Sequence, residues 1–224
     1  MTSTLAAPTT AGRVTGRGWA GIVAALAAGG SGAILAQGPG TFTNQEIKSG
    51  AFVVENMNPE LLIRVGGGLG LVAVAATMIF TLGLTRRAAE TAPGRAGWVE
   101  ALRWSSVALL ATTSVGVLMR YVAAGGAPGA LDQSMYTTEA SATAAVLADQ
   151  ISTGTYLPAL GVMVTTGVLS LRGALLPRTV GIVTLVLAGI SLVATLAIGL
   201  PYSSSLVFPA FALVAGITTL VRRG

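Results

Sequence analysis

The chain has 224 residues, of which 53% are hydrophobic and only 9% are charged, whereas about 25% of the residues of a typical soluble domain are charged. This composition predicts an integral membrane protein. The thirteen basic residues occur singly or in pairs. The formal charge of +5 therefore indicates charges that flank membrane spans, not nucleic-acid binding.

The residue types that are missing exclude several kinds of chemistry within this chain. The sequence has no Cys and no His, so disulfides, thiolate nucleophiles, Cys or His metal sites and Ser-His dyads are excluded. Arginine outnumbers lysine twelve to one, and Ala, Gly, Val and Leu dominate. We take this bias as an indication of a bacterial source with GC-rich DNA.

Residues 1–18 are polar and lack apolar periodicity, which predicts a disordered cytoplasmic tail. The first membrane helix is predicted over 19–36, although two arginines before an apolar run also resemble a secretory signal with cleavage after Ala36. The length of the run favours a retained helix. Small residues recur every four positions on one face of this helix and predict close packing with another helix: Gly21, Ala25, Gly29 and Ala33.

The second helix is predicted over 61–84, because 21 uncharged residues separate Arg64 from Arg86 and span the roughly 30 Å of hydrocarbon in a bilayer. Before it, residues 37–60 form a polar segment in which 44–57 have the spacing of an interfacial helix. The GGGLG stretch at 66–70 lies inside the span, so packing through Gly66 and Gly70 is favoured over a nucleotide loop. Asn58 and Pro59 are typical of a helix start.

Residues 85–103 carry four arginines and a Pro-Gly pair, and we interpret them as a cytoplasmic connector. The third helix is predicted over 104–124. The outer segment that follows includes a short helix over 136–148 and leads into a fourth span at 151–171, where Pro158 should bend the helix. The fifth and sixth helices are predicted over 179–200 and 204–221.

The predicted fold is therefore all-α: a polytopic membrane helix bundle with six transmembrane helices, residues 19–224 forming a single membrane domain. Ten arginines fall on one predicted side of the membrane and only Lys48, Arg64 and Arg120 on the other. The positive-inside rule then predicts that both termini are cytoplasmic and that the protein is a multi-pass protein of the inner (plasma) membrane.

Two arginines near the outer ends of their helices are the candidate ligand-binding residues. Arg64 and Arg120 should lie at similar depth on the same side, with Glu60, Glu139 and Asp149 as candidate partners. Intramembrane charges are costly and tend to mark functional sites. The alternative is that both arginines are interface anchors whose long side chains reach the headgroups.

No catalytic motif is present: the sequence contains no HExxH, GxSxG or P-loop. No catalytic residue, metal site or cofactor is predicted, and an enzyme is not favoured. The hydroxyl groups within the spans are expected to bond to their own helix or to a neighbour.

The layout resembles a bacterial family of six-helix membrane proteins known as domain of unknown function 4386. The resemblance rests on ELLIRVGGGLG at the start of the second helix, on a long outer segment before the fourth, and on LLPRTVGIVTLVLAG at the entry to the fifth. The segment LADQISTGTYLPALG departs from that family, in which aromatic and histidine residues are usual there. The resemblance implies the fold and brings no activity.

Three functional hypotheses remain open from the sequence. The first is a non-enzymatic membrane protein that binds a small molecule or lipid in an outward-facing pocket between the second, third and fourth helices. The second is a structural or assembly subunit that contacts another membrane protein, or a second copy of itself, through the small-residue face of the first helix. The third is a small transporter-like protein. The lipid bilayer is the one partner that all three share.

Overall fold

The structure is a computed structural model and describes residues 10–35, 59–123, 138–173, 175–199 and 203–221. Within these ranges the chain is all-helical, with six α-helices and no strand. They are α1 (Thr10–Leu35), α2 (Pro59–Thr91), α3 (Ala96–Ala123), α4 (Thr138–Leu171), α5 (Arg178–Ile198) and α6 (Ser203–Val221), with a 3-10 turn at Pro93–Arg95. The tail over 1–9 and the predicted interfacial helix over 44–57 lie outside the described residues.

Four helical segments are long and apolar enough to cross a membrane: Arg64–Thr91, Pro93–Val122, Gly154–Leu171 and Arg178–Ala197. A shorter apolar segment, Val207–Val221, belongs to α6. Many large apolar side chains face outward, among them Leu157, Val193 and Leu196. An apolar exterior of this extent is what lipid-facing helices require. The fold is thus a helical membrane bundle.

Three predicted boundaries were wrong, each because a helix continues further than the apolar run. The structure begins α1 at Thr10, so residues 10–18 are not part of a tail. The predicted connector over 85–103 is helical except at residues 92–95, which join α2 to α3. Ala88 and Leu102 are fully buried there, and adding a residue to an existing helix costs little when Ala, Arg and Glu supply it.

The third wrong boundary is the break before the fourth span. The predicted short helix over 136–148 and the span over 151–171 form one helix, α4, because nothing between them is a helix breaker. Pro158 lies inside this continuous helix. By contrast, α5 ends at a glycine in the left-handed backbone conformation. Gly199 has φ 68° and donates its N–H to Thr195 O at 3.1 Å.

Five helices form a closed ring, and the sixth lies outside it. In the ring α1 contacts α2, α2 contacts α3, α3 contacts α4, α4 contacts α6, and α6 returns to α1. The remaining helix, α5, packs against α4 and α6. The aromatic residues Phe80 of α2 and Phe211 of α6 meet across the ring with centroids 5.9 Å apart.

Helices that follow one another in the chain run antiparallel, so the described charges separate by end. Gly67 near the start of α2 lies against Tyr121 near the end of α3, and Gly161 of α4 lies against Ser105 near the start of α3. One end of the bundle thus carries six arginines whose side chains are described: Arg86, Arg87, Arg95, Arg103, Arg172 and Arg178. The opposite end carries Arg64 and Arg120.

Most hydroxyl groups within the spans donate to a carbonyl oxygen four residues earlier in their own helix, as predicted. This holds for Thr112, Thr113, Ser114, Thr165 and Thr184. Two hydroxyls join helices: Ser31 of α1 donates to Gly66 O of α2 at 2.8 Å, and Tyr156 of α4 donates to Ser191 O of α5 at 3.3 Å. A hydrogen bond between membrane helices contributes on average about 0.6 kcal/mol.

Thr166 of α4 is the exception among these hydroxyls. Its side chain is fully buried, and its Oγ1 has no hydrogen-bond partner within the described residues. We expect Thr166→Val to raise the free energy of unfolding by about 1 kcal/mol, because valine has the same shape and leaves no polar atom unsatisfied.

Reversible unfolding of the detergent-purified protein measures this effect. The control is Thr184→Val, which removes the bond from Thr184 Oγ1 to Val180 O at 2.8 Å and should give no gain. A loss of stability in Thr166→Val would mean that the hydroxyl is bonded after all.

A candidate ligand cavity inside the helix ring

The ring of five helices surrounds a partly open cavity of about 150 Å³. Each ring helix contributes to its wall, whereas α5 does not. The residues around it are, on α1, Ala24, Ala25, Ala28, Ser31 and Gly32; on α2, Gly70, Ala73, Val74 and Thr77; on α3, Leu109, Thr113, Gly116, Val117 and Arg120; on α4, Ile151, Thr155 and Ala159; and on α6, Phe208, Pro209 and Ala212. A cavity of this volume in an apolar interior holds a molecule about the size of benzene.

Small side chains create this space. Alanine and glycine supply nearly half of the wall, and they keep their own helices packed while leaving room between them. Ala159 and Ala73 are 2% and 6% exposed, so this part of the wall is buried between helices. The cavity is therefore a gap between packed helices that is open in part to the outside of the bundle.

Two hydroxyl groups of the wall donate their protons to backbone carbonyl oxygens. Ser31 donates to Gly66 O, and Thr113 donates to Leu109 O. A hydroxyl whose proton is used in this way can still accept a hydrogen bond. Toward the cavity these groups therefore present acceptor oxygens on an apolar wall.

Arg120 is the charged residue among those that line the cavity. It lies in the last turn of α3, and its side chain extends toward α1, where a Cβ placed on Gly32 would be 3.9 Å from Nη1. The absence of a side chain at position 32 leaves space beside the guanidinium. The cavity thus has a cationic end at Arg120, and it extends along α3 to Leu109, about 16 Å away at 1.5 Å per residue.

The other candidate arginine is placed differently. Arg64 is at the same end of the bundle as Arg120, as the sequence predicted, but it is exposed and is not among the cavity residues. The structure therefore brings only one of the two arginines into the site. The side chains of Glu60, Glu139 and Asp149 lie outside the described part of the chain, so their pairing with the arginines stays a prediction.

The glycines at the start of α2 lie where α1 and α3 approach that helix. A Cβ on Gly70 would be 2.5 Å from Val117 Cγ1 and 3.0 Å from Ser31 Oγ. Gly66 supplies the carbonyl that accepts the Ser31 bond. The GGGLG stretch is a packing segment within α2, and Gly70 also forms part of the cavity wall.

The small-residue face predicted on α1 divides into two parts. A Cβ on Gly21 would be 2.7 Å from Ala212 O and 3.0 Å from the Phe80 ring, so this residue packs between α6 and α2. Ala25 is buried and lines the cavity. Gly29 is exposed, with nothing within 4 Å of a Cβ placed there, and the Ala33 side chain is not described.

Sequence reasoning missed the contributions of α1 and α6 to the site. It placed the pocket between the second, third and fourth helices, whereas Ser31 and Gly32 of α1 and Phe208 and Pro209 of α6 also line the cavity. The one available signal was Ser31, a polar residue in an otherwise apolar Gly- and Ala-rich stretch. Nothing in the chain order indicated that α6 closes the ring beside α1.

Comparison with protein-family models, curated proteins and solved structures finds no match to this chain. The resemblance to the six-helix family therefore stays a prediction. The class that the fold and the apolar spans define is a helical membrane protein with a cavity inside the bundle.

Proposed function

We propose that this chain is a non-enzymatic, multi-pass protein of the inner membrane that binds a small molecule in the cavity between α1, α2, α3, α4 and α6. The observation that carries the proposal is the cavity itself, with Arg120 at one end and apolar walls along its length. Ligand pockets are typically concave and mostly apolar, with a few polar groups that orient the ligand. Binding, and not catalysis, is proposed because the described residues of the cavity wall include no nucleophile with an adjacent base.

A screen on the purified chain tests the binding proposal. The protein in detergent is heated with graded concentrations of small apolar, cationic and anionic compounds. A ligand that binds only the folded state raises its stability by about 2.7 kcal/mol at a hundred times Kd. A dose-dependent, saturating rise in Tm for at least one class supports the proposal, and no response to any class contradicts it.

The distribution of arginines supports a membrane orientation for this proposal. The end of the bundle that carries six described arginines would face the cytoplasm, since basic residues are retained on that side. The cavity would then have Arg120 toward the outer surface, and both termini would be inside.

We expect single introduced cysteines to report this orientation without background, because the chain has no native cysteine. Gln45→Cys and Met135→Cys should react with an impermeant thiol reagent added outside intact cells. Gly94→Cys and Arg172→Cys, at exposed positions in the turns after α2 and α4, should react only after the membrane is opened. The reverse pattern would invert the proposed orientation.

The assembly hypothesis is the weaker proposal. The face of α1 that was assigned to a partner includes Gly21 and Ala25, and both are buried within this chain. A large residue at Gly21 would disturb the contact with α6 before it affected any partner. Among the described residues of that face only Gly29 is exposed, so these residues do not form a continuous outer face for another helix.

A further inference from the structure

We infer that the ligand of the cavity is an anion with an apolar body, of which a small monocarboxylate is the simplest form, and that the Arg120 guanidinium binds its charged end. This inference rests on the proposed function, because it specifies what the cavity binds.

The first step concerns charge. Arg120 is a permanent cation, and the described residues that line the cavity include no carboxylate. Arginine at membrane depth is costly unless an anion, a carbonyl or water is near it. An anionic group in the cavity would be attracted to the guanidinium, whereas a cationic ligand would place a second positive charge in the same space.

The second step concerns hydrogen-bond geometry. A guanidinium presents five N–H donors in a planar fork that matches the two oxygens of a carboxylate. Arg120 already takes part in an interaction within the chain, and five donors leave capacity for a ligand. The open space beside Gly32, 3.9 Å from Nη1, allows an oxyanion to approach the fork from the side of α1.

The third step concerns the remainder of the ligand. From Arg120 the wall continues over Val117, Leu109, Ala73 and Phe208 with no second charged group among the lining residues. The part of the ligand that lies along this wall must therefore be uncharged. A volume of about 150 Å³ fits a short alkyl chain or a single ring, so benzoate and hexanoate are suitable probes.

The same chemistry has two sources, a free short-chain acid and a fatty acid from the bilayer. The cavity volume favours the short acids, because a long chain would extend beyond the space. Palmitate is therefore the third probe. A stronger response to palmitate than to hexanoate assigns the ligand to the membrane, and the reverse order assigns it to the free acids; both outcomes keep the anion inference.

The experiment compares acids with neutral molecules of the same shape. Thermal unfolding of the detergent-purified full chain is measured with hexanoate and hexanol, and with benzoate and benzyl alcohol. The variants are Arg120→Gln, Arg120→Lys and the matched control Arg64→Gln, which changes the arginine at the same end of the bundle that lies outside the cavity. We expect each acid to bind the parent and Arg64→Gln more tightly than its alcohol.

Removing the charge at position 120 should weaken acid binding by about tenfold to a hundredfold, as expected for a charge-assisted hydrogen bond, and leave alcohol binding unchanged. Arg120→Lys should retain part of the preference for the acid. Equal binding of acid and alcohol to the parent overturns the anion inference and leaves the binding function intact. If neither acid nor alcohol shifts the parent, the anion inference fails, and the screen of apolar, cationic and anionic compounds decides the proposed function separately. If Arg120→Gln does not fold, the ratio of the affinities for acid and alcohol in the parent still decides whether the cavity prefers an anion.

Discussion

Gly216→Ala is expected to lower the free energy of unfolding by about 1–3 kcal/mol or more, the usual cost of overpacking a core. A Cβ at this position of α6 would lie 2.7 Å from Gly18 O and 3.0 Å from Ile22 N. Both neighbours are backbone atoms of α1 and cannot rotate away as a side chain would. The added methyl group must therefore push α1 and α6 apart.

The matched control for this prediction is Gly189→Ala on α5, where nothing lies within 4 Å of an added Cβ. That substitution should be neutral or slightly stabilising, since alanine is favoured over glycine in a helix by about 1 kcal/mol. Chemical unfolding of the two purified variants in the same detergent measures the difference. Equal stabilities would show that α1 and α6 do not cross closely at Gly216.

Phe211→Ala is expected to destabilise the bundle by about 2–3 kcal/mol, somewhat below the loss of about 3–5 kcal/mol in water-soluble cores. The expected loss is smaller than in water because the side chain has apolar surroundings in the unfolded state too, within detergent or lipid. The lost packing contacts are then the main cost. The Phe211 side chain is 1% exposed, and its ring lies 5.9 Å from Phe80 and 5.8 Å from Phe208.

Leu196→Ala provides the comparison for that substitution. This residue of α5 is 78% exposed and faces the membrane, so its truncation should leave the free energy of unfolding nearly unchanged. The same unfolding assay applies. If Phe211→Ala cost no more than Leu196→Ala, the contact of α6 with α2 across the ring would be absent from the protein in detergent.

The sequence predicted the helices well because the physics of the bilayer is local to each span. A run of about 20 uncharged residues is needed to cross the hydrocarbon, and such runs are visible between Arg64 and Arg86 or after Arg178. Helix ends were predicted less well. Arg86 and Arg87 mark the end of the apolar run but not of α2, since arginine, alanine and glutamate continue a helix as readily as leucine does.

Helix neighbours could not be predicted in the same way. Packing between membrane helices depends on shape, without a preference for burying apolar surface. Gly21 and Gly29 share one face of α1, and the sequence predicts the same packing role for both. Only the fold shows that Gly21 meets Ala212 and Phe80 whereas Gly29 meets nothing.

The candidate site was predicted only in part, because helix packing could not be predicted from the sequence. Antiparallel order was enough to place Arg64 and Arg120 at one end of the bundle. Which arginine enters the interior depends on the rotation of α2 and α3 about their own axes, and on the close approaches at Gly67 and Gly70. Neither is encoded in a short motif. The cavity exists only once α6 contacts α1 and closes the ring.

The cavity also gives a role to the alanine and glycine content of the ring helices. Residues such as Ala73 and Ala159 leave the central space open, while Gly216 and Gly21 allow the surrounding helices to hold together. Close packing at the periphery and space at the centre together produce a packed bundle that contains a central cavity.

The measurement that tests the ligand cavity most directly is the dependence of Tm on hexanoate concentration in two variants of α2. One variant adds leucine on the face toward the cavity, and the other adds it on the exposed face. Ala73→Leu places its side chain in the cavity, and Ala75→Leu places the same group on the exposed face of the helix. We predict that hexanoate raises the Tm of the parent and of Ala75→Leu in a saturating manner and leaves Ala73→Leu unchanged. An equal rise in both variants would contradict binding within the ring, and no rise in the parent would contradict the choice of an acid as the ligand.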